Sequence, residues 1–423
     1  SGEWGATVTN TTSANFQLEI NMNAGQTATA TANIKCSNLN VVSGIFDVVT
    51  IGLDNGTVGQ GNATIASGAT IKSSATSNSN VFQKTGSALA GTLTVNGTLV
   101  LTGISPLISM TSIAFNGTVE YSASGNQTLA ILVNGGASPN TYTNLIINGS
   151  GVKTLGIDTT VNGTLTQSSG KLAVDTKTLT LNGAYVGDAT NSITCGSTSN
   201  LTTTGSTGTL YFDQTTPGTT NVIKNLTLNA NSSVTLGNAL NITAGSTPGV
   251  LFVGASATLT TGGNLTLKSD ANGTARVSEV GTGGAITGNV TVERYIPAKR
   301  AWRALTAPLK GSNTTLYNSW QNGGTAVSPY NTGIELWGPS GTGMATGPAY
   351  NIRQYTTSGW ADVTNTQSTN LFTSGSNNAY LVFVTGGYGS NNIGNGQSAA
   401  TTLKATGQLI TGPVSFAVTS ARH

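Results

Sequence analysis

Short runs of alternating apolar and polar residues fill the chain from about residue 6 to residue 291. Examples are residues 92–101 (TLTVNGTLVL), 114–121 (AFNGTVEY) and 178–183 (TLTLNG). A period of two with many β-branched residues predicts strands that are buried on one face. The Asn-Gly pairs between the runs tolerate positive φ and predict sharp turns. No segment keeps an apolar period of about 3.6 residues, so we expect very little helix.

A longer repeat underlies this alternation. Residues 144–148 (NLIIN) match residues 225–229 (NLTLN), and residues 154–156 match residues 235–237, both at an offset of 81 residues. We infer that a unit of about 80 to 90 residues has been duplicated. Similar segments joined by loops of variable length are typical of a solenoid, in which each coil buries its apolar face only against its neighbours. We expect about 20 residues in each coil.

The aliphatic residues of the alternating runs are the predicted interior of this solenoid. Because an open stack of strands exposes unpaired edges, we expect caps at both ends, formed by roughly the first forty residues and by the C-terminal part of the chain. The predicted interior residues are Leu93, Val95, Leu99, Leu101, Leu145, Ile147, Leu155, Leu165, Leu179, Leu181, Leu226, Leu228, Leu236, Leu251, Val253, Leu259, Leu265 and Leu267.

The composition changes after residues 281–284 (GTGG), where aromatic residues become frequent. Strand-like runs such as residues 290–295 (VTVERY) and 380–384 (YLVFV) alternate there with long loops rich in Gly, Ser and Asn. This pattern predicts an antiparallel sandwich of jelly-roll type. Four of the five tryptophans lie in this part of the chain, namely Trp302, Trp320, Trp337 and Trp360.

The sequence therefore predicts an all-β protein with two domains. Residues 1–285 are expected to form a right-handed parallel β-helix, or solenoid, with an N-terminal cap. Residues 286–423 are expected to form an aromatic-rich antiparallel β-sandwich. The boundary is placed where the short alternating runs stop and the aromatic residues begin.

Charged residues are scarce: only 7% of the chain is Asp, Glu, Lys or Arg, compared with about a quarter in typical soluble domains. The polar surface must instead come from Asn, Thr, Ser and Gly, which favours an extracellular protein over an intracellular enzyme. The net charge of +3 provides no electrostatic footprint for nucleic acid. No run of about 18 apolar residues occurs, so we expect no transmembrane segment. We expect an export signal to have been removed ahead of Ser1.

Cysteine and histidine offer no catalytic or metal-binding group in this sequence. Cys36 and Cys195 are too far apart in the chain for a zinc motif, and we expect both to be buried without a disulfide between them. The single histidine is His423, which excludes Ser-His-Asp and Cys-His arrangements. We therefore predict no catalytic residue, no metal site and no cofactor.

A β-helix enzyme that cleaves polysaccharides is an alternative that the residues leave open. Such an enzyme needs two or three clustered carboxylates. The carboxylates of the alternating region occur singly and without a repeated spacing, so we assign them to turns and to the surface. They include Asp47, Asp54, Glu120, Asp158, Asp175, Asp188 and Asp213.

One basic cluster interleaved with aromatic residues follows the alternating region. Its arginines are suited to hold an anionic sugar while its aromatic rings stack on the sugar. The alternative is that Trp302 and Tyr295 close the end of the solenoid while the arginines pair with Glu293 and nearby carbonyls. Aromatic residues in the later loops, among them Tyr355 and Tyr388, are further candidates for carbohydrate contact. The candidate ligand-binding residues are Arg294, Tyr295, Arg300, Trp302, Arg303, Trp337 and Trp360.

The alternating region resembles the Gly-, Thr- and Asn-rich β-helix regions of large secreted proteins of Bacteroidota, in segments such as residues 225–228 (NLTL) and 161–165 (VNGTL). Residues 288–298 (GNVTVERYIPA), followed by 300–303 (RAWR) and 305–308 (LTAP), are similar to a motif that joins solenoid to C-terminal module in cargo of the type IX secretion system. The resemblance implies export by that system and an adhesin-like role at the cell surface. Such proteins usually end in a small sorting domain that this sequence does not contain, which leaves the mode of anchoring open.

The residues and the resemblance together predict a secreted, non-enzymatic protein at the outer cell surface or in the extracellular space. We expect it to act in adhesion or as a structural spacer. The expected partners are the secretion machinery and cell-surface glycans, or host or abiotic surfaces. One alternative is the subunit of a self-assembling extracellular fibre, and the other is the polysaccharide-cleaving enzyme.

Overall fold

The structure is a computed structural model of the chain. It describes residues 17–31, 33–53, 61–75, 80–83, 90–129, 131–133, 140–311, 314–356, 358–373 and 379–413. These residues form an all-β protein, in which the one helical element is a 3-10 turn at Asn322–Gly324. No helix among them is long and apolar enough to cross a membrane. The chain divides into two compact units, Ser1–Asp213 and Gln214–His423.

The first unit consists of short strands. They are β1 (Gln17–Asn21), β2 (Thr27–Thr29), β3 (Ile34–Cys36), β4 (Asn38–Ser43), β5 (Ile45–Val48), β6 (Ile51–Leu53), β7 (Ala63–Ile65), β8 (Thr70–Ser73), β9 (Asn80–Gln83), β10 (Ala90–Val95), β11 (Thr98–Leu101), β12 (Leu107–Phe115), β13 (Thr118–Tyr121), β14 (Gln127–Thr128), β15 (Ile131–Val133), β16 (Asn140–Tyr142), β17 (Asn144–Ile147), β18 (Val152–Thr154), β19 (Thr159–Val161), β20 (Leu165–Gln167), β21 (Lys171–Ala173), β22 (Thr178–Leu181), β23 (Tyr185–Val186), β24 (Ile193–Thr194), β25 (Asn200–Thr203) and β26 (Ser206–Leu210).

Strands of the first unit pair in parallel, and most pair with the strand three places further along the chain. Thus β5, β8 and β11 are neighbours in one sheet, β4, β7 and β10 in a second, and β3, β6 and β9 in a third. One pass of the chain therefore adds one strand to each of three sheets. Asn182 Nδ2 donates to Asn162 Oδ1 (2.8 Å), 20 residues earlier, at the same turn of the preceding pass. Other strand partners in this unit lie between 18 residues (Thr27 with Ile45) and 31 residues (Ile51 with Phe82) apart, so the predicted coil of about 20 residues describes only some of the passes.

The N-terminal cap that we expect falls partly on residues 1–16, which lie outside the described residues. The described remainder of that segment pairs as one more pass of strands. In it, β1 pairs with β4, β2 with β5, and β3 with β6, all in parallel.

Alternate residues of the strands fill the interior of each unit, because successive side chains of a strand point to opposite faces. All the aliphatic residues predicted to be interior are buried, none more than 5% exposed. The interior of the first unit also contains aromatic rings. Phe115 stacks on Tyr142 with ring centroids 5.2 Å apart, and the buried hydroxyls of Tyr121 and Tyr142 are hydrogen-bonded at 2.8 Å.

A lysine lies in the same interior, although lysine side chains are almost always exposed. Lys153, the central residue of β18, is fully buried. Its ammonium group donates to the backbone carbonyls of Ala123 (2.9 Å), Gly125 (2.9 Å) and Ser150 (2.5 Å). Burial lowers the pKa of Lys153 from its usual range.

The second unit contains both parallel and antiparallel strands. They are β27 (Val222–Ile223), β28 (Asn225–Leu228), β29 (Ser233–Leu236), β30 (Leu240–Ile242), β31 (Val250–Val253), β32 (Thr258–Thr260), β33 (Leu265–Leu267), β34 (Arg276–Val277), β35 (Ala285–Thr287), β36 (Asn289–Ile296), β37 (Ala301–Leu305), β38 (Leu309–Lys310), β39 (Ile352–Thr356), β40 (Gly359–Asp362), β41 (Tyr380–Val384) and β42 (Thr401–Leu409).

Its parallel strands follow the same every-third-strand order, as in β27–β30–β33–β36, and most strand partners in successive passes lie about 25 residues apart. The backbone amide of Val250 in β31 is bonded to the side chain of Asn225 in β28, 25 residues earlier. The segments that match at an offset of 81 residues, β17 and β28, therefore belong to passes of different length. Longer loops explain the difference, among them residues 243–249 and the tight turn at residues 270–273, where Asp270 accepts from two backbone amides.

Strand β36 marks the change from parallel to antiparallel pairing. It pairs in parallel with β33 on one side and antiparallel with β42 on the other, so β42 covers an edge that would otherwise be open. Thr291 and Thr406, 115 residues apart, share a hydrogen bond of 2.8 Å across this pair. The domain boundary expected at residue 285 falls within β35, inside the second unit.

Candidate ligand-binding face

Strands β37, β41, β39 and β40 form a four-stranded antiparallel sheet in the second unit. Cross-strand partners lie on the same side of a sheet, and so do residues two apart within one strand. The register pairs Trp302 with Phe383, Arg353 with both Leu381 and Asp362, and Tyr355 with Trp360. We name the side of the sheet that these residues share the aromatic face. Its members are Trp302, Ala304, Arg353, Tyr355, Trp360, Asp362, Leu381 and Phe383.

The opposite side of the sheet is anchored in the core. Ile352, Tyr380, Val382 and Val384 are buried there in a cluster with Trp320. Tyr380 packs edge-on against Trp320 with ring centroids 5.6 Å apart, and its hydroxyl donates to the Asn370 carbonyl at 2.6 Å. Because one side is fixed in this way, the backbone that carries the aromatic face is firmly positioned.

One end of the aromatic face is built around Trp302. Trp302 is 44% exposed to solvent, and the centre of its ring lies 5.6 Å from that of Phe383. The guanidinium of Arg300 lies 5.4 Å from the centre of the Phe383 ring. Arg300 also donates to the carbonyls of Asn392 (3.0 Å) and Gln397 (2.9 Å), so it holds a loop against this end of the face.

The middle of the aromatic face carries a charged pair. Arg353 Nε donates to Asp362 Oδ1 at 3.0 Å, and both side chains are more than a third exposed. The guanidinium carbon of Arg353 lies 5.9 Å from the centre of the Trp302 ring, which is within cation–π range. The pair therefore links the Trp302 end of the face to the strands β39 and β40.

The other end of the aromatic face consists of Tyr355 and Trp360, whose rings meet at 75° with centroids 5.3 Å apart. Trp360 is 45% exposed. Taking about 4.8 Å between strands and about 6.8 Å between alternate residues, Trp302 and Trp360 lie roughly 20 Å apart across the face. The face therefore offers two exposed indoles, one on each side of an arginine.

Three of the residues predicted from sequence, Arg300, Trp302 and Trp360, come together at the aromatic face. The prediction that Trp302 closes the end of the solenoid is wrong, because its ring faces solvent. The expected partnership of the arginines with Glu293 is also wrong. The buried carboxylate of Glu293 is bound instead by Lys268 (2.8 Å) and Lys404 (3.7 Å).

The other four predicted residues lie away from the aromatic face. Arg303 alternates with Trp302 and points to the other side of the sheet, where it donates weakly to the Pro297 carbonyl (3.4 Å). Trp337 donates from Nε1 to Glu335 (3.2 Å) in a separate loop. The backbone amide of Tyr295, in β36, is bonded to Ser269 Oγ (3.0 Å). Arg294 is exposed on the same strand.

Arg294 lines a groove of about 970 Å³ in the second unit. Most of its other lining is aliphatic, including Leu267, Val280 and Leu305. Ala304 lines the groove and also belongs to the aromatic face, so the two surfaces meet along β37.

Sequence reasoning did not select Arg353, Asp362, Leu381 and Phe383 for the site. A signal was present in residues 352–362, where alternation on both sides of a Ser-Gly turn is typical of a hairpin. That pattern identifies which residues share a face of the hairpin. It does not reveal that β41 and β37 lie beside it.

The carboxylates singled out from the sequence have local structural roles where the structure describes them. Glu120 accepts from Asn148, Asp158 from the Thr178 backbone, and Asp188 from the backbone of its own turn, while Asp54 lies outside the described residues. Asp47 pairs with Lys72 (3.9 Å) and Asp213 with Lys171 (2.5 Å). Within the part of the chain that is described, no three His, Cys, Asp or Glu side chains group as metal ligands.

Both cysteines are buried and free, as predicted. Burial raises the pKa of Cys36 to about 11 and that of Cys195 to about 12, which makes both thiols unreactive at neutral pH.

Comparison with known proteins adds no relative. No model of a protein family matches the chain, and no curated protein or solved structure matches it.

Proposed function

We propose that this protein is a secreted, non-enzymatic cell-surface protein that attaches to glycans through the aromatic face. Adhesion is the role this surface suits best, and a spacer role for the parallel strands is compatible with it. The observation that carries the proposal is the pair of exposed indoles, Trp302 and Trp360, on either side of Arg353 on a sheet whose reverse side is buried. Exposed aromatic rings on a firm sheet bury the apolar faces of sugars at little entropic cost.

The finer architecture belongs to the same proposal. We assign residues 1–285 to a right-handed parallel β-helix and residues 286–423 to an antiparallel sandwich module. The parallel pairing of every third strand supports the first assignment. The antiparallel pairing of β36 with β42, and the separate core under the aromatic face, support the second.

Export by the type IX secretion system of a bacterium of the Bacteroidota rests on the sequence resemblance of residues 288–308. In the structure this segment covers β36 and β37, and so leads directly into the aromatic face. Location at the cell surface follows from that resemblance and from the scarcity of charged residues.

A non-enzymatic role is supported by what the carboxylates already do. Those described above accept hydrogen bonds within turns or from neighbouring passes, or pair with lysines. An acid–base pair for glycoside cleavage requires two carboxyl groups facing one substrate.

The test is binding of the full chain to a panel of purified polysaccharides, measured by affinity electrophoresis and titration calorimetry. Trp302→Ala and Trp360→Ala should each weaken binding roughly 5- to 150-fold, because a base stacked on an aromatic side chain contributes about 1–3 kcal/mol and we expect a stacked sugar ring to contribute similarly. Phe252→Ala is the matched control, since Phe252 is 40% exposed on β31 and lies outside the aromatic face. Unchanged affinity in both tryptophan variants, or release of shortened sugars from the polysaccharide, would overturn the proposal.

A further inference from the structure

The charge of the aromatic face indicates which class of glycan it would bind. Its groups that are charged at neutral pH are Arg353, with Arg300 beside it, and the carboxylate of Asp362. At neutral pH these three side chains leave one net positive charge next to the exposed indoles. Within the described residues, no acidic side chain other than Asp362 forms a salt bridge with Arg353 or Arg300. A cationic partner is therefore disfavoured, and an anionic one is attracted.

The geometry of Arg353 is suited to an oxyanion. Asp362 Oδ1 accepts a hydrogen bond from Arg353 Nε, and the centre of the Trp302 ring lies 5.9 Å from the guanidinium carbon. These two contacts fix the plane of the guanidinium. Its two Nη atoms have no hydrogen-bond partner among the described residues. A guanidinium presents these two atoms as a fork that matches both oxygens of a carboxylate or sulfate.

Arg300 differs from Arg353 in this respect. Its Nη1 atom is already bonded to the carbonyls of Asn392 and Gln397, and Nη2 is near the Ile393 carbonyl (3.5 Å). Arg300 therefore contributes charge and holds Phe383 in place, whereas Arg353 is the group with free donors.

We propose that the aromatic face binds acidic polysaccharides, with sugar rings stacked on Trp302 and Trp360 and an intervening carboxylate or sulfate held by the Nη atoms of Arg353. This inference rests on the proposed function and specifies its ligand. The separation of the indoles, roughly 20 Å from strand spacings, fits an extended chain of several sugars. Asp362 is a positioning residue, because it orients Arg353 without touching the ligand.

The experiment compares polymers that differ only in charge. Polygalacturonate is compared with its fully methyl-esterified form, and dextran sulfate with dextran, by titration calorimetry on the full chain. We expect each charged polymer to bind at least 10-fold more tightly than its neutral counterpart, and we expect added salt to reduce the difference. A preference restricted to one charged polymer identifies carboxylate or sulfate as the recognised group.

Variants separate charge recognition from stacking. The double variant Arg353→Gln/Asp362→Asn removes the pair without leaving a lone carboxylate, and it should abolish the preference while retaining the weaker neutral binding. Arg276→Gln, at an exposed arginine on β34, is the control for loss of a positive charge away from the aromatic face, and the double variant itself leaves the net charge unchanged. The single variant Arg353→Lys, with Asp362 unchanged, should keep only part of the preference for charged polymers, because an ammonium lacks the two-pronged donor geometry of a guanidinium.

The outcomes are distinguishable. Equal affinity for charged and neutral polymers, with both weakened by Trp302→Ala, overturns the acidic-ligand inference and leaves glycan binding standing. Loss of the preference in Arg276→Gln also overturns it, since charge outside the aromatic face, and not the fork of Arg353, would then be responsible. Absence of binding to every polymer contradicts the proposed function itself.

Discussion

Replacing Lys153 with methionine removes the ammonium group from the interior of the first unit while keeping a side chain of similar length. Three backbone carbonyls, those of Ala123, Gly125 and Ser150, then lose their donor. Hydrogen bonds from a charged group contribute about 1.5–3 kcal/mol each, so the gross loss is roughly 5–9 kcal/mol. The variant no longer has to bury a charged ammonium, and removing this desolvation penalty offsets the loss by several kcal/mol.

We therefore expect Lys153→Met to lower the free energy of unfolding by about 2–4 kcal/mol. For a unit of this size, this corresponds to a fall in Tm of roughly 4–16 °C. Thermal and urea unfolding followed by far-ultraviolet circular dichroism measure the change. Lys35→Met is the matched control, because Lys35 is exposed on β3 of the same unit, and it should shift Tm by little.

The pH dependence gives a second readout of the same variant. Burial lowers the pKa of Lys153 below its usual 10.5, so in the alkaline range just below that value the unfolded chain binds more protons than the folded one. Stability from this residue therefore rises with pH there, and the cost of Lys153→Met should grow. Equal stability of the wild type and Lys153→Met at all pH values would refute the assignment of the ammonium to these carbonyls.

Two further predictions concern the same parallel stack and its buried thiols. Gly183→Ala should cost about 2 kcal/mol or more in urea unfolding, because its Cβ would lie 2.0 Å from the Gly163 carbonyl oxygen of the preceding pass. Burial raises the pKa of Cys36 to about 11 and of Cys195 to about 12, so the folded chain keeps thiol protons that the unfolded chain loses above about pH 9. Stability from both thiols is present below pH 9 and is lost as pH rises towards 11 and 12, and Cys36→Ala/Cys195→Ala should show a smaller decline between pH 8 and 11.

Controls for these two predictions come from the same chain. Gly125→Ala places its Cβ in open space and should cost little, so equal losses at both glycines would contradict the close-approach argument. With reductant present throughout, an equal decline in the free energy of unfolding of Cys36→Ala/Cys195→Ala and of the wild type between pH 8 and 11 would show that the thiols do not cause the decline.

Much of the parallel fold followed from local sequence pattern. The alternation in residues 92–101 and 178–183 identified strands β10, β11 and β22 and the side of each that is buried. The Asn-Gly pairs identified turns that stack, as in the bond from Asn116 Nδ2 to Asn96 Oδ1 (2.9 Å). The buried side of a strand and the position of a turn depend on residues that are close in the chain, and a periodic sequence indicates both directly.

Residue type and alternation conflict where the interior is polar. In residues 151–155 (GVKTL), a period of two counted from the interior residue Leu155 places Lys153 inward and Val152 outward, whereas a charged residue is expected outside; the structure follows the alternation, with Lys153 buried and Val152 partly exposed. The ammonium is accommodated there because the carbonyls of Ala123 and Gly125, from an earlier pass, accept its hydrogen bonds together with the nearby Ser150 carbonyl. No local pattern contains that information, because the partners lie up to 30 residues away.

The coil length in the second unit and the aromatic face were also decided only by the tertiary structure. Sequence composition located the tryptophans, and residues 300–303 indicated a ligand site, but Arg303 and Trp302 are adjacent and therefore point to opposite sides of β37. Arg353 and Trp302 are 51 positions apart in the numbering and meet only because β41 lies between their strands. Short-range periodicity determines which side of a strand is buried. Antiparallel neighbours that are far apart in the chain are determined by how the whole core packs, and that packing brings the residues of the aromatic face together.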